Sequence, residues 1–220
     1  MGRFMILFAI LAAACVGCAR HYRDATLYHA SGRAKPIVAV LPVINSSSDE
    51  QKVCWDLTRE MTEELRKRVY NSPKLYLLRE HGSLEIAKQL SVPNPNLLSR
   101  EPIERMGAAE FIVVSELLDH HETSYGFQNP DKPHLEEIGA DLTVAMRIRV
   151  LDIRGQQPKI ILQEVINHEY PISRAYLNTD YEKACWGTEA FERTPIGIAH
   201  SKIVREIVAR VEGYIAASRG

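Results

Sequence analysis

Two cysteines three positions apart, Cys15 and Cys18, are the residues whose type and spacing most directly suggest chemistry in this sequence. A pair with this spacing can form a redox disulfide or contribute to a metal site. This cysteine pair comes directly after an uncharged run, residues 4–14, which itself follows Arg3. A short apolar segment behind an early cation is typical of a secretory signal peptide. A redox pair normally lies between a strand and a helix, so this position favours export and modification over redox chemistry.

Small residues directly before a cysteine resemble the lipobox of bacterial lipoproteins, in which the thiol receives a diacylglycerol and the signal is cut before it. Two registers stay open: residues 11–14 before Cys15 give a short signal, and residues 14–17 before Cys18 give a better length. We favour Cys18 as the lipidated residue, with residues 1–17 as the signal peptide and 18–35 as a tether. The resemblance implies palmitate-type chains. Because no Asp follows either cysteine, it also implies anchoring at the outer membrane, facing the periplasm.

The rest of the chain has the composition of one globular domain. Apolar residues make up 45% and charged residues 25%, which is ordinary usage. With 27 basic and 28 acidic side chains the net charge is −1, so the sequence lacks the basic surface that nucleic-acid binding requires. Two further cysteines, Cys54 and Cys185, could form a disulfide in an oxidising periplasm or remain buried thiols.

Histidines and acids gather near the end of one predicted strand, and imidazole with carboxylate is a grouping that metals favour. The group comprises Glu116, Asp119, His120, His121 and Glu122, with His168 and Glu169 on a later strand. Adjacent strand residues point to opposite faces, so His120 and His121 cannot easily share one ion. The sequence favours a strand end that runs into solvent, and therefore no metal site.

No residue set of a known catalytic type is present. The first strand is not followed by a glycine-rich phosphate loop, and no G-x-S-x-G turn occurs. Ser46, Ser47 and Ser48 are better explained as helix-capping residues, and Glu136–Glu137 fall in a predicted loop. The sequence therefore predicts a protein that is not an enzyme and has no cofactor. Arg147 and Arg149, on the polar face of a strand, are the best residues for contacting a partner.

The elements that must position these residues form an α/β (α+β) pattern in one domain, residues 36–217. The hydrophobic periodicity predicts strands at 36–45, 74–80, 109–122, 141–153 and 159–170, with a surface loop at 123–139. Ridges at i, i+4 predict a long first helix through residues 53–69 and a closing helix after Thr194. We expect a mixed sheet of about five strands, the last three as an antiparallel meander, packed by these two helices.

This order of elements resembles a domain shared by the curli-secretion lipoprotein CsgG, the penicillin-binding-protein activator LpoB and the N-terminal domain of TolB. The phrases that carry the resemblance are "VAVLPVINSS", "GAAEFIVVSEL", "MRIRVLDIRGQQPKIILQE" and "RTPIGIAHSKIVREIV". It implies a non-enzymatic, lipid-anchored binding or scaffold module. Its partner would be an envelope protein such as a peptidoglycan synthase or a secretion complex. The alternative is a CsgG-like ring-forming secretion component. However, residues 123–139 carry two prolines and lack the alternation of a pore-forming hairpin.

Overall fold

The first strand, β1 (Ile37–Val40), is three β-branched residues and an alanine, and Val38, Ala39 and Val40 are buried from both sides. Such a strand needs helices on both faces of its sheet. The computed structural model describes residues 26–47, 53–79, 82–91, 100–128 and 136–220. In these residues one mixed sheet is packed by helices on its two faces, which confirms the predicted α/β class.

The sheet has six strands, with β3, β1, β4, β5 and β6 in spatial order and β2 beside β4. The other strands are β2 (Ile44–Asn45), β3 (Tyr76–Leu77), β4 (Phe111–Gln128), β5 (Glu136–Asp152) and β6 (Lys159–Ile172). Strand β1 pairs in parallel with β3 and with β4, and β2 pairs in parallel with β4. Strands β4, β5 and β6 form the predicted antiparallel meander. The predicted strand 36–45 is split into β1 and β2 at residues 41–43, where Pro42 cannot donate to a ladder.

Helix α1 (Leu57–Tyr70) packs on one face of the sheet through four residues of the predicted ridge: Leu57, Met61, Leu65 and Val69. The predicted start at residue 53 is wrong, because the helix begins at Leu57. Its N-cap is Asp56, whose side chain accepts from the backbone N–H groups of Thr58 and Arg59. The prediction that residues 46–48 cap this helix is therefore wrong, although Ser48 itself lies outside the described residues. A carboxylate at this place also suits the positive end of the helix dipole.

The C-terminal helix α5 (Pro195–Arg219) lies beside α1 on the same face and contacts β5 and β6. Thr194 caps it by accepting from the backbone N–H of Gly197, and Pro195 opens it, both as predicted. Its ridge is buried throughout: Ala199, Ile203, Ile207, Val211 and Ile215. The short helix α4 (Glu189–Glu192) and a 3₁₀ turn (Arg174–Tyr176) join β6 to α5.

Two short helices, α2 (Leu84–Leu90) and α3 (Arg100–Glu104), cover the opposite face of the sheet. Ser83 caps α2 by accepting from the N–H of Ile86. Residue 99, directly before α3, lies outside the described residues. Beneath these helices a second apolar cluster includes Ile112, Val114 and Leu151.

The β4–β5 hairpin is longer than predicted. Residues 123–128 pair in register with 136–141, so the expected loop over 123–139 is wrong for these positions; residues 129–135 lie outside the described residues. The ring of Tyr125 lies across Gly139, where an added Cβ would come within 2.8 Å of Tyr125 Cε2. An aromatic ring over a glycine compensates for its missing side chain on a sheet. In the part of the chain that the structure describes, no helix is long and apolar enough to span a bilayer.

Candidate functional site

Four polar side chains, three of them buried and one partly buried, form a continuous chain of hydrogen bonds between β4, α5 and α1. His120 Nε2 lies 2.9 Å from His200 Nε2, and His200 Nδ1 lies 2.7 Å from Glu60 Oε1. The indole N–H of Trp55 donates to the other carboxylate oxygen, Glu60 Oε2, at 2.7 Å. Glu60, His200 and His120 are 0%, 2% and 3% exposed. The chain joins strand β4 to helices α5 and α1, which the sequence separates widely.

The geometry limits the protons that this chain can hold. Two ring nitrogens in contact need one donor and one acceptor, so a single proton lies between His120 and His200. Burial, with the neighbouring His200 as the second cause, lowers the pKa of His120 to about 3. His120 is therefore neutral near pH 7. Both nitrogens of His200 and both oxygens of Glu60 are engaged in hydrogen bonds within the chain.

A β-bulge aims His120 at the helices. The pairing of β4 with β5 shifts between Leu117 and Asp119, so that Leu117 faces Met146 and His120 faces Val144. Met146 and Val144 both lie on the α1–α5 side of the sheet, and without the extra residue His120 would point to the other face. The bulge therefore places an imidazole where strict alternation would not.

Close packing at the start of α5 fixes His200. A Cβ on Gly197 would lie 2.1 Å from the carbonyl oxygen of Phe191, so only glycine lets the α4 turn approach the helix this closely. The Phe191 ring packs edge-on against His200, at 6.1 Å between centroids, and against Trp55, at 5.2 Å. The aromatic cluster therefore shields one side of the hydrogen-bond chain.

The polar chain borders an open groove between α1 and α5, of about 1000 Å³, which we call the α1–α5 groove. The buried Glu60 and His200 lie at its base, and its rim includes the exposed Arg68, Ser201 and Arg205. Its lining also contains Trp186 and further residues of both charges: Glu64, Lys67, Glu192 and Glu212. Among the described residues neither arginine has an ion-pair partner. A concave surface of this volume, with aromatic and charged groups converging on it, has the dimensions of a ligand or peptide site.

The histidine–acid group predicted at the end of the strand is divided between two faces. His121 contacts Asp119 at 2.5 Å and Glu116 accepts from Arg147 at 2.8 Å, both on the face opposite to His120. The expectation that this strand end runs into solvent is therefore wrong for His120. His168 binds Glu206 of α5 at 2.7 Å instead of joining the group. Within the described ranges no cluster of three or more His, Cys, Asp or Glu residues could hold a metal ion.

The two arginines predicted to contact a partner have different environments. Arg149 is 3% exposed and donates to the Leu90 carbonyl at 3.0 Å and to Gln163 Oε1 at 2.9 Å. It ties the sheet to the end of α2, and burial lowers the pKa of its guanidinium. Arg149 is therefore not a surface contact, which corrects the prediction, whereas the side chain of Arg147 is 39% exposed.

The cysteines considered for a disulfide are free thiols in the structure, Cys54 exposed and Cys185 partly buried. The thiol of Cys54 makes a weak contact with the Tyr181 carbonyl at 3.8 Å. The disulfide alternative is thus not formed here, and the alternative of two buried thiols is wrong for Cys54. Cys15 and Cys18 lie outside the described residues.

Sequence reasoning missed Glu60, His200 and Trp55. A signal was present, since Glu60 and His200 lie on the apolar ridges of their helices, at i+3 from Leu57 and i+4 from Ile196. A titratable residue on a buried stripe needs a partner, because burying a charge alone is costly. Which residue supplies that partner depends on how three distant segments pack.

A family model described as "Family of unknown function (DUF7499)" matches residues 24–219. Among solved structures, the hypothetical protein CT253 from Chlamydia trachomatis is 34% identical, with a TM-score of 0.69, over 84% of this chain and 99% of that one. Lipoprotein GNA1162 from Neisseria meningitidis is 13% identical, with a TM-score of 0.35, over 83% and 99% of the two chains. A search of the curated proteins finds no match.

Proposed function

This chain belongs to the DUF7499 family, and we propose that it is a lipid-anchored envelope protein whose body binds a partner in the α1–α5 groove. The observation that carries the binding role is the groove itself, a concavity of about 1000 Å³ with two exposed arginines at its rim. We propose that its partner is another envelope protein, and the sequence resemblance suggests a peptidoglycan synthase or a secretion complex.

The N-terminal sequence supports the lipid anchor. An early cation, an uncharged run and small residues precede Cys15 and Cys18. The family match starts at residue 24, after both cysteines, which agrees with a division between a leader and a body. More than one acyl chain is needed for stable anchoring, since each buried CH₂ contributes about 0.8 kcal/mol. We propose the outer membrane, with the body in the periplasm.

The hydrogen bonds that the buried His200 and Glu60 already make within the protein support a binding role over catalysis. The groups nearest to a catalytic arrangement are His200 and Glu60, and every ring nitrogen and carboxylate oxygen of the two is already hydrogen-bonded. A general base must have a free position that reaches substrate. The same two residues instead connect three elements of the fold around the groove.

Labelling cells with a palmitate analogue tests the anchor. We expect the wild type to be labelled and to fractionate with membranes, and a variant with both Cys15→Ser and Cys18→Ser to lose the label and leave the membrane fraction. The single variants show which thiol is modified. An unlabelled wild type, or a double variant with unchanged processing, contradicts the anchor.

A photo-crosslinking amino acid at Ser201 tests the groove, with the same amino acid at Ala216 as the control. Both residues are exposed on α5, but only Ser201 lines the groove. We expect crosslinks to one or a few envelope proteins from position 201 in intact envelopes, and none of these from 216. Equal patterns at both positions contradict the groove as the binding site. Mass photometry in detergent addresses the ring alternative: a monomer agrees with the binding module, and a closed ring contradicts it.

A further inference from the structure

We infer that the His120–His200 contact makes the α1–α5 groove respond to pH: the groove keeps its described form only while one proton lies between the two rings, and acidification releases α5 from β4. The inference depends on the proposed function for its biological role, since it concerns the regulation of the same groove. The conformational change itself is a property of the protein without a partner.

The contact distance excludes a doubly protonated pair. At 2.9 Å between the Nε2 atoms of His120 and His200, a hydrogen on each nitrogen would place two N–H groups head to head and two positive charges in contact. The two residues are only 3% and 2% exposed, so water cannot screen the repulsion. Two charged rings can be accommodated only if they move apart.

The charged groups around the pair tolerate one added proton and not two. Glu60 from α1 is the carboxylate in contact with His200, so it can balance one positive charge. On β4, Asp119 and His121 flank His120 but bind each other on the opposite face of the strand. The neighbours from β5 and α4, Val144 and Phe191, carry no charge. Glu122 shares the face of His120 on β4 but is only partly buried. The hydrogen bonds of the buried pair reach one carboxylate, Glu60, so a second proton has no further carboxylate in contact with the pair.

Separation of the pair would alter the groove because the same residues form its base. His200 lies one turn into α5, and its two hydrogen bonds connect this part of the helix to β4 and to Glu60 of α1. If the ring of His200 moves, the α1–α5 spacing and the bond from Trp55 to Glu60 change together. The groove and the indole environment should therefore change in one transition.

Tryptophan fluorescence reads this region selectively, because the chain has two tryptophans: Trp55 is in the polar chain and Trp186 lines the groove. We propose to titrate the full processed protein, in detergent and without a partner, from pH 8 to pH 4. The wild type should show a cooperative emission shift below about pH 6.5, where a free histidine titrates. In His120→Gln, whose amide can donate to His200 but does not titrate, the shift should disappear or its midpoint fall by at least one pH unit.

His168→Gln is the matched control, since His168 is a partly exposed histidine on β6, across Val144 from His120, and it binds Glu206 of α5. It should titrate like the wild type. A His120→Gln protein that shifts together with the wild type overturns the inference, as does a wild type without any shift down to pH 4.

Nitrogen NMR of the wild-type histidine rings keeps the inference testable if His120→Gln does not fold. We expect doubly protonated rings at both positions only in samples that have lost the native spectrum. Two doubly protonated rings within an intact native spectrum overturn the inference. Because neither measurement includes a partner, failure to find groove crosslinks at position 201 would contradict the proposed function and leave these results unaffected.

Discussion

The Nε2 atoms of His120 and His200 lie 2.9 Å apart although 80 positions separate the residues in the chain. The contact joins a strand to the last helix, and Glu60 continues it to the first helix. Buried polar chains of this kind are stable only when every member is satisfied. Each member is satisfied here, so changes at one residue should be felt at all of them.

Acid should destabilise the folded protein through His120. The pKa of this residue is about 3 in the folded state and about 6.5 in an unfolded chain, because burial disfavours the charged ring. Between these values the unfolded state binds a proton that the folded state does not. The free energy of unfolding is therefore highest above about pH 6.5 and should fall by a few kcal/mol as the pH decreases toward 3. Urea unfolding at a series of pH values measures this slope, which should be shallower in His120→Gln.

Two glycines of α5 should respond in opposite directions to alanine. Gly197→Ala places a methyl group against the Phe191 carbonyl and should lower the free energy of unfolding by about 2–3 kcal/mol. Gly213→Ala enters open space on the same helix and should raise it by roughly 0.5–1 kcal/mol through helix propensity. Denaturant unfolding of the two variants side by side provides the comparison. Similar effects in both would contradict the close approach of Phe191.

Ser115→Ala should leave stability unchanged or raise it by about 1 kcal/mol. The hydroxyl of Ser115 is buried and has no hydrogen-bond partner within the described residues, and an unsatisfied buried group costs about 1–3 kcal/mol. Ser72 is a suitable comparison, because its buried hydroxyl donates to Glu212 and accepts from the Lys74 N–H. Ser72→Ala should lose about 1 kcal/mol in the same thermal or denaturant measurement. A larger loss for Ser115→Ala than for Ser72→Ala would show that the hydroxyl of Ser115 is satisfied.

Arg149→Met should destabilise the fold by about 2–3 kcal/mol, because it removes charge-assisted bonds to the Leu90 carbonyl and to Gln163. The control is Arg105→Met, at an exposed arginine that pairs with Glu101 one helical turn away. Such surface pairs contribute about 0.3–0.5 kcal/mol. Chemical denaturation measures both changes. Equal, small losses of unfolding free energy in the two variants would contradict a structural role for Arg149.

Periodicity was sufficient for the fold class and the main helices and strands, although not for the split of the first strand or the length of the β4–β5 hairpin. The ridges of α1 and α5, the cap at Thr194 and the order of the antiparallel strands all follow from local patterns, and each is present in the structure. Local signals were misleading where several capping residues competed: serines and acids before residue 52 suggested a helix start, yet Asp56 makes the capping bonds.

The polar chain could not be derived in the same way. The bulge between Leu117 and Asp119 reverses which face His120 occupies, and simple alternation gives no sign of it. His200 lies 80 positions from His120 and 140 positions from Glu60, so the three residues meet only through tertiary packing. The polar face that suggested Arg149 as a contact is covered by α2 and its C-terminal end, which the strand pattern alone does not reveal.

At the C-terminal end of α5, the guanidinium of Arg219 donates to the Ala34 carbonyl at 3.2 Å. Ala34 also forms an antiparallel bridge with Tyr28, so the segment before β1 turns back on itself here. Ala34 is thus beside the last turn of α5, whereas His200 lies near its beginning. At the usual helical rise these two places are roughly 30 Å apart. Under the proposed lipid anchor, the chain would enter the body at the end of α5 that is remote from the histidine pair, so about this distance would separate the attachment point from the pH-responsive contact.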